Sequence, residues 1–103
     1  LDIQIEILNG CGTPGIAAKF SQFLRDKRVD VVRSENADHF EYEKTILIQR
    51  NEKMTGLQHV AKALKFDIKN KNQVITSVDP NLDVDLTLII GKDYNSISPI
   101  KSY

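Results

Sequence analysis

The sequence has no tryptophan, one cysteine and one methionine in 103 residues, and these scarcities narrow the field before any motif is read. A lone thiol, Cys11, cannot close an internal disulfide, so there is no disulfide framework, and one thiol suits a reducing or an oxidising compartment equally. With two histidines beside that single cysteine there is no zinc-ligand spacing either, and no metal or cofactor is expected. Excess charge is missing too. Fourteen Lys+Arg balance fourteen Asp+Glu, which removes the strongly basic field that supplies most non-specific affinity for nucleic acid or an anionic membrane. Long apolar runs are also absent: nothing approaches the roughly 20 residues a bilayer crossing needs. The opening LDIQIEI lacks the basic and hydrophobic regions of a signal peptide. Because the sequence starts at Leu1 and not at Met, it reads as a mature or excised piece, with any membrane anchor lying outside it.

What remains is an ordinary globular composition, 41% hydrophobic and 27% charged, at the size of one domain. Residues 1–96 are expected to form that domain and 97–103 a polar C-terminal tail. Ile3, Ile5 and Ile7 alternate with Gln4 and Glu6, the period-two pattern of a strand with one wet face. A Gly/Asn turn follows at 9–12, with Thr13 as N-cap and Pro14 in the first turn of a helix. Ile16, Phe20, Phe23 and Leu24 make that helix's apolar stripe. Val29 to Arg33 reads as a second, edge strand, 34–44 as an acidic loop, and 45–49 as a third strand whose Ile46 and Ile48 face inward. Leu57, Val60, Ala61 and Leu64 repeat the helical stripe; a short strand fits at Val74 to Val78, and Leu86 to Ile90 is the last strong strand.

The order is βαββαβ, and an offset of 41 residues carries Gly15 to Gly56 and Ile7 to Ile48, a trace of internal duplication. Two such units interleave most simply as a ferredoxin-like α+β sandwich, a split βαβ with a four-stranded antiparallel sheet and both helices on one face. On that arrangement the uncovered face shows Gln4, Glu6 and Gln49, with Thr45, Leu47, Thr87 and Ile89 beside them. Without paired aromatic residues, this face does not suit base stacking.

Residues 10–15 (GCGTPG) are formally G-x-G-x-x-G between a strand and a helix, with Glu35 twenty residues beyond Gly15, which imitates a dinucleotide fingerprint. Two features argue instead for a tight structural turn. The strand IQIEI alternates where a nucleotide fold needs a continuous apolar run, and Pro14 removes an N–H from the phosphate cradle. Asp79, Asn81, Asp83 and Asp85 imitate the first half of a calcium loop, but Val84 stands where Gly is needed and Ile90 where a bidentate Glu is needed. Cys11 at a helix start would need a base to act as a nucleophile, and neither His39 nor His59 lies in a local signature. No catalytic set emerges, and the chain is not expected to be an enzyme.

Three segments taken together are more specific: IEILNGCGTPGIAAKFSQFL from Ile5, then VDVVRSENAD with Tyr42 and Thr45 downstream, and finally DVDLTLIIGKDY ending at Tyr94. Their order and spacing resemble the LytR C-terminal-domain family. The positions that match its pattern include Asn9, Gly10, Gly12, Gly15, Asn36, Ala37, Asp38, Tyr42, Gly91, Asp93 and Tyr94, mostly turn-forming types suited to shaping the fold. Cys11 departs from the small or hydroxyl residue usual there, so a catalytic role is not implied. Of the matching positions, Asn9, Gly10, Gly12, Gly15, Asn36, Asp38, Tyr42, Asp93 and Tyr94 are the candidate ligand-binding set. The resemblance implies an extracytoplasmic bacterial envelope protein, free-standing behind an anchor or attached to a LytR-CpsA-Psr domain that transfers glycopolymers. On this reading the chain is a non-catalytic module whose partner is peptidoglycan or another envelope protein. A nucleotide- or phosphate-binding turn and a structural spacer or dimerisation unit are the alternatives.

Overall fold

The computed structural model describes residues 2–103. Five strands form one sheet in the order β2-β1-β5-β3-β4: β1 (Gln4–Asn9), β2 (Asp30–Asn36), β3 (Ile46–Gln49), β4 (Val74–Thr76) and β5 (Leu86–Ile90). Helix α1 (Ile16–Asp26) joins β1 to β2, and α2 (Met54–Leu64) joins β3 to β4. A 3₁₀ turn at Lys92–Ser96 and the short α3 (Ser98–Lys101) close the chain.

The sheet is mixed and mostly parallel, which corrects the antiparallel four-stranded expectation. β1 pairs in parallel with both β2 and β5, β3 pairs in parallel with β4, and only β3 and β5 run antiparallel. The two βαβ units do not interleave. Each closes locally on its own neighbouring strand, as a right-handed crossover permits, and β5 then inserts between them. Because β1 and β3 run in opposite directions and their partners lie on opposite outer sides, two right-handed crossovers put both helices on the same face. That part of the expectation holds. The other face has no helix.

The core lies between the sheet and the helices, where Ile5, Ile7, Leu47, Leu86, Leu88 and Ile90 meet Phe20, Leu24, Val60 and Leu64. Here the expected parity of β3 is wrong. Leu47 stands opposite Leu88 and Gln49 opposite Leu86, so both point to the helices, while Ile48 stands opposite Thr87 on the helix-free face. A one-residue slip moves every side chain to the other face, and Thr45, Leu47 and Gln49 therefore leave the predicted open face, replaced by Ile46 and Ile48. The pseudo-repeat accordingly runs at 40 positions and not 41: Ile7 maps to Leu47, Phe20 to Val60 and Leu24 to Leu64, all core.

Two further expectations need correction. The first helix starts at Ile16, with Gly15 at φ 79 as its N-cap and no side-chain cap, so Thr13 and Pro14 belong to the turn before it. Residues 97–103 are not a polar tail: Ile97 and Ile100 are buried in the core, where the last turn of chain covers the ends of the two long helices.

Candidate functional site

Most of the candidate ligand residues gather at one end of the sheet, where β1 and β5 finish. The chain leaves edge strand β2 and must cross β1 and β5 to enter β3, so the segment 37–45 is laid over the strand ends. Backbone bonds fix it there: Ala37 N donates to Asn9 O (2.8 Å), Tyr42 N to Gly10 O (3.1 Å) and Lys92 N to Tyr42 O (2.9 Å). The buried Asn9 amide organises the turn below, accepting from the Cys11 and Gly12 amides (3.1 and 2.9 Å) and donating to Thr13 O (3.0 Å). Asp93 accepts from the Thr45 amide and hydroxyl (2.8 and 2.7 Å), and the same hydroxyl accepts from the Gly91 amide (3.0 Å).

Packing is equally closed. A Cβ at Gly91 would lie 2.4 Å from the Lys44 carbonyl carbon, and one at Gly12, already at φ 79, would press on the Phe40 ring at 3.1 Å. Tyr42 stacks on His39 with ring centroids 4.4 Å apart and donates its hydroxyl to Asp38 (2.8 Å). That bond holds the Asp38 carboxyl below its ordinary value and the Tyr42 phenol above its own. Tyr94 packs against the core. Asn36 ends β2 at the register position of Asn9, and Gly15 caps α1. The motif thus builds a strap and its fastenings. The amides that would cradle a phosphate are already taken by Asn9. Cys11 touches Asn9 and Thr13 through its sulfur, and neither histidine contacts it: His39 Nδ1 accepts from the Glu41 amide and His59 Nε2 donates to the Lys27 carbonyl.

The helix-free face is different. One line of side chains crosses four strands in register, Arg33 beside Glu6, Glu6 beside Thr87, Thr87 beside Ile48. Glu6 is buried, accepting from Arg33 Nε and Nη2 (3.2 Å each) through one oxygen and from the Thr87 hydroxyl (2.7 Å) through the other. Arg50, just past β3, donates Nε to Thr87 Oγ1 (2.9 Å) and Nη1 to the Ser77 carbonyl (3.0 Å). Arg33 reaches on to Asp83 (3.1 Å), holding that exposed carboxyl below its ordinary value. The two arginines therefore tie the segment 77–85 against the face from either side.

Below that segment, at the end of the sheet opposite the strap, lies a cleft of about 370 Å³ lined by Gln4, Arg50, Asn51, Asp79, Asp83 and the apolar Val78 and Pro80, among others. Its floor is rigid. Asp85 is buried and accepts from the Gln4 amide (2.9 Å) and the Asn51 side chain (2.6 Å), with Lys53 at 3.7 Å. Burial opposes ionisation of Asp85, but these donors and Lys53 outweigh it and keep the carboxyl below its ordinary value. Arg50 has no carboxylate within ion-pair distance among the described residues, and its second terminal nitrogen makes no hydrogen bond there, so donors remain for a ligand. Gln4 and Glu6 both lie on the helix-free face, but Glu6 is buried there under Arg33 and not on the wet surface the alternation implied. Gln49 does not lie on that face: its amide bonds the Met54 sulfur of α2 (3.4 Å) and the Thr76 hydroxyl (3.0 Å) on the helix side. Arg33, Arg50 and Asn51 were missed because no motif marks them; only the strand register reveals them.

The calcium-like spacing does not converge, since Asp79 accepts from the Asn81 amide, Asp83 binds Arg33 and Asp85 points inward. No group of three His, Cys, Asp or Glu side chains is placed to hold a metal among the described residues, and no helix there is long and apolar enough to cross a membrane.

Residues 2–94 match the family model described as the LytR cell envelope-related transcriptional attenuator, with the strap, its glycines and Asp93 all inside the match. The chain belongs to this family. It is thus a cell-envelope-related domain, and the match ends at Tyr94, just before the 3₁₀ turn hands over to α3 of this LytR C-terminal domain. No curated protein and no solved structure matches the chain.

Proposed function

We propose that this LytR C-terminal domain is a non-catalytic, extracytoplasmic interaction module, accessory to cell-wall glycopolymer attachment, that holds cell-wall glycan on its helix-free face. The observation that supports it is the cleft that Gln4, Arg50 and Asn51 form with the segment 78–85. Sugars present vicinal hydroxyls and small apolar patches, and the lining supplies matching groups: a guanidinium with unused donors, a carboxamide, carboxylates, and the edges of Val78 and Pro80. The one hydroxyl–carboxylate pair described there, Thr87 donating to Glu6, is buried and bound to arginines, out of reach of a substrate. The dimerisation reading gains nothing from the edge strand, because β2 carries a bulge at Val32 and charged side chains, both of which discourage edge pairing.

Retention on purified, insoluble peptidoglycan tests the reading. The wild-type domain is expected to co-sediment, and a Gln4→Ala/Arg50→Ala variant, whose side chains line the cleft without entering the core, is expected to stay in the supernatant. Equal retention of the two proteins would reject this face as the glycan site.

A further inference from the structure

The cleft beside the segment 78–85 carries a charge pattern that narrows what it can hold. Asp83 is matched by Arg33 and the buried Asp85 by Lys53. Arg50 and Asp79, both half-buried, are the charged lining residues that remain, and neither is in an ion pair among the described residues. They are neighbours all the same: the Asp79 amide donates to the Arg50 carbonyl (3.1 Å), and the Arg50 amide donates to the Asp85 carbonyl (2.9 Å).

Their own side-chain bonds keep the two charges from meeting. The guanidinium is turned to the Thr87 hydroxyl and the Ser77 carbonyl (2.9 and 3.0 Å), and one Asp79 carboxylate oxygen accepts from the Asn81 amide (3.0 Å). Each keeps capacity unused, Arg50 at its second terminal nitrogen and Asp79 at its other oxygen. A neutral ligand covering both would strip water from two opposite charges and give neither a partner, which costs free energy. A singly charged ligand would satisfy one and abandon the other. A zwitterion satisfies both. Arg50 offers a planar fork, the geometry of a carboxylate. Asp79 offers a hydrogen-bond acceptor, which suits a primary ammonium, and no aromatic ring lines the cleft to hold a quaternary one. Val78, 53% exposed, and Pro80 supply apolar wall for a short side chain.

We propose that the cleft binds a small peptide zwitterion, with its free carboxylate on Arg50 and its primary ammonium on Asp79. The inference rests on the reading of this cleft as the wall-binding site, and it makes the peptide carried by the glycan the recognised group.

The test titrates the full chain with alanyl-alanine, its N-acetylated form and its C-terminal amide, following amide chemical shifts. The unblocked dipeptide should shift Arg50 and Asp79, and each blocked form should bind at least about fivefold more weakly, as for loss of a charged hydrogen bond. Asp79→Asn, which keeps an acceptor for the Asn81 amide, should bind the unblocked and N-acetylated forms equally. Arg50→Gln should bind the unblocked and amidated forms equally. A change in folding does not match each variant to one blocked group. No shift with the unblocked dipeptide, equal binding of all three peptides, or variants that discriminate as the wild type does would overturn the proposal. Competition separates it from the glycan reading: retention on insoluble peptidoglycan should be relieved by the unblocked dipeptide and not by peptide-free glycan strands. Relief by the glycan strands alone overturns the proposal and leaves the glycan reading standing. Dipeptide binding with no retention on peptidoglycan supports the proposal and removes the glycan reading.

Discussion

Where β1 and β5 end, Asn9, Thr45 and Asp93 turn their polar atoms inward to fasten a strap, and Gly10, Gly12 and Gly91 let the chain close on itself. At the other end of the sheet Gln4, Arg50 and Asn51 surround a cleft, and Arg50 keeps donors free. The two ends use the same residue types, amides, carboxylates and hydroxyls, but only one leaves them available. What separates the ends is connectivity. The crossing from β2 to β3 must pass over the strand ends at the top, and that demand consumes the turn-forming motif; at the bottom the 77–85 segment merely approaches β5 and is pinned by two arginines.

The largest effect that sharpens this contrast is expected at Gly91. Gly91→Ala pushes a methyl into the Lys44 backbone and should lower the free energy of unfolding by about 3 kcal/mol in urea titration. Asn9→Ala comes next, at about 2 kcal/mol, because it leaves the Cys11 and Gly12 amides unpaired. Both changes should leave glycan retention intact in whatever fraction stays folded; loss of binding by folded Asn9→Ala would break the division of labour.

At the cleft floor, Asp85 links folding to pH. Its carboxyl is depressed in the folded state, so its contribution is present above its unfolded value near ~3.9 and is lost as pH falls through the still lower folded value. Wild-type thermal stability should therefore drop more steeply below about pH 4 than that of Asp85→Asn. The asparagine variant should be less stable at neutral pH by roughly 1 kcal/mol, the difference between a charged and a neutral hydrogen-bond acceptor. Identical acid profiles would remove Asp85 from the account. The smallest stability effect is expected for Arg50→Ala, under about 1 kcal/mol, since Thr87 keeps its bond to Glu6. A near-neutral change in melting with loss of glycan retention is the signature of a binding residue.

Much of this was legible in the sequence. The alternation at Ile3, Ile5 and Ile7 put Gln4 and Glu6 on the helix-free side, and the helical stripes named the core of α1 and α2. Turn-forming residues at Asn9, Gly12 and Asp93 pointed to architecture before chemistry. The topology was not legible. The three-residue β4 carries one buried side chain, Val74, too weak a signal to show that β3 has its own parallel partner, and without it the units seemed to need interleaving. The segment Ile46–Gln49 is apolar on both sides, so its parity was set by Leu88 across the ladder and not by its own pattern, which is why Gln49 was placed on the wrong face. Arg33, Arg50 and Asn51 are ordinary surface types, and only their neighbours across the sheet give them meaning.

The central claim is that the motif end is structural and the opposite end binds. Amide chemical-shift mapping during titration with soluble peptidoglycan fragments tests it most directly. The account predicts shifts at Gln4, Arg50, Asn51 and Asp83 with residues 10–15 and Tyr42 unmoved; shifts confined to residues 10–15 and the strap would contradict it.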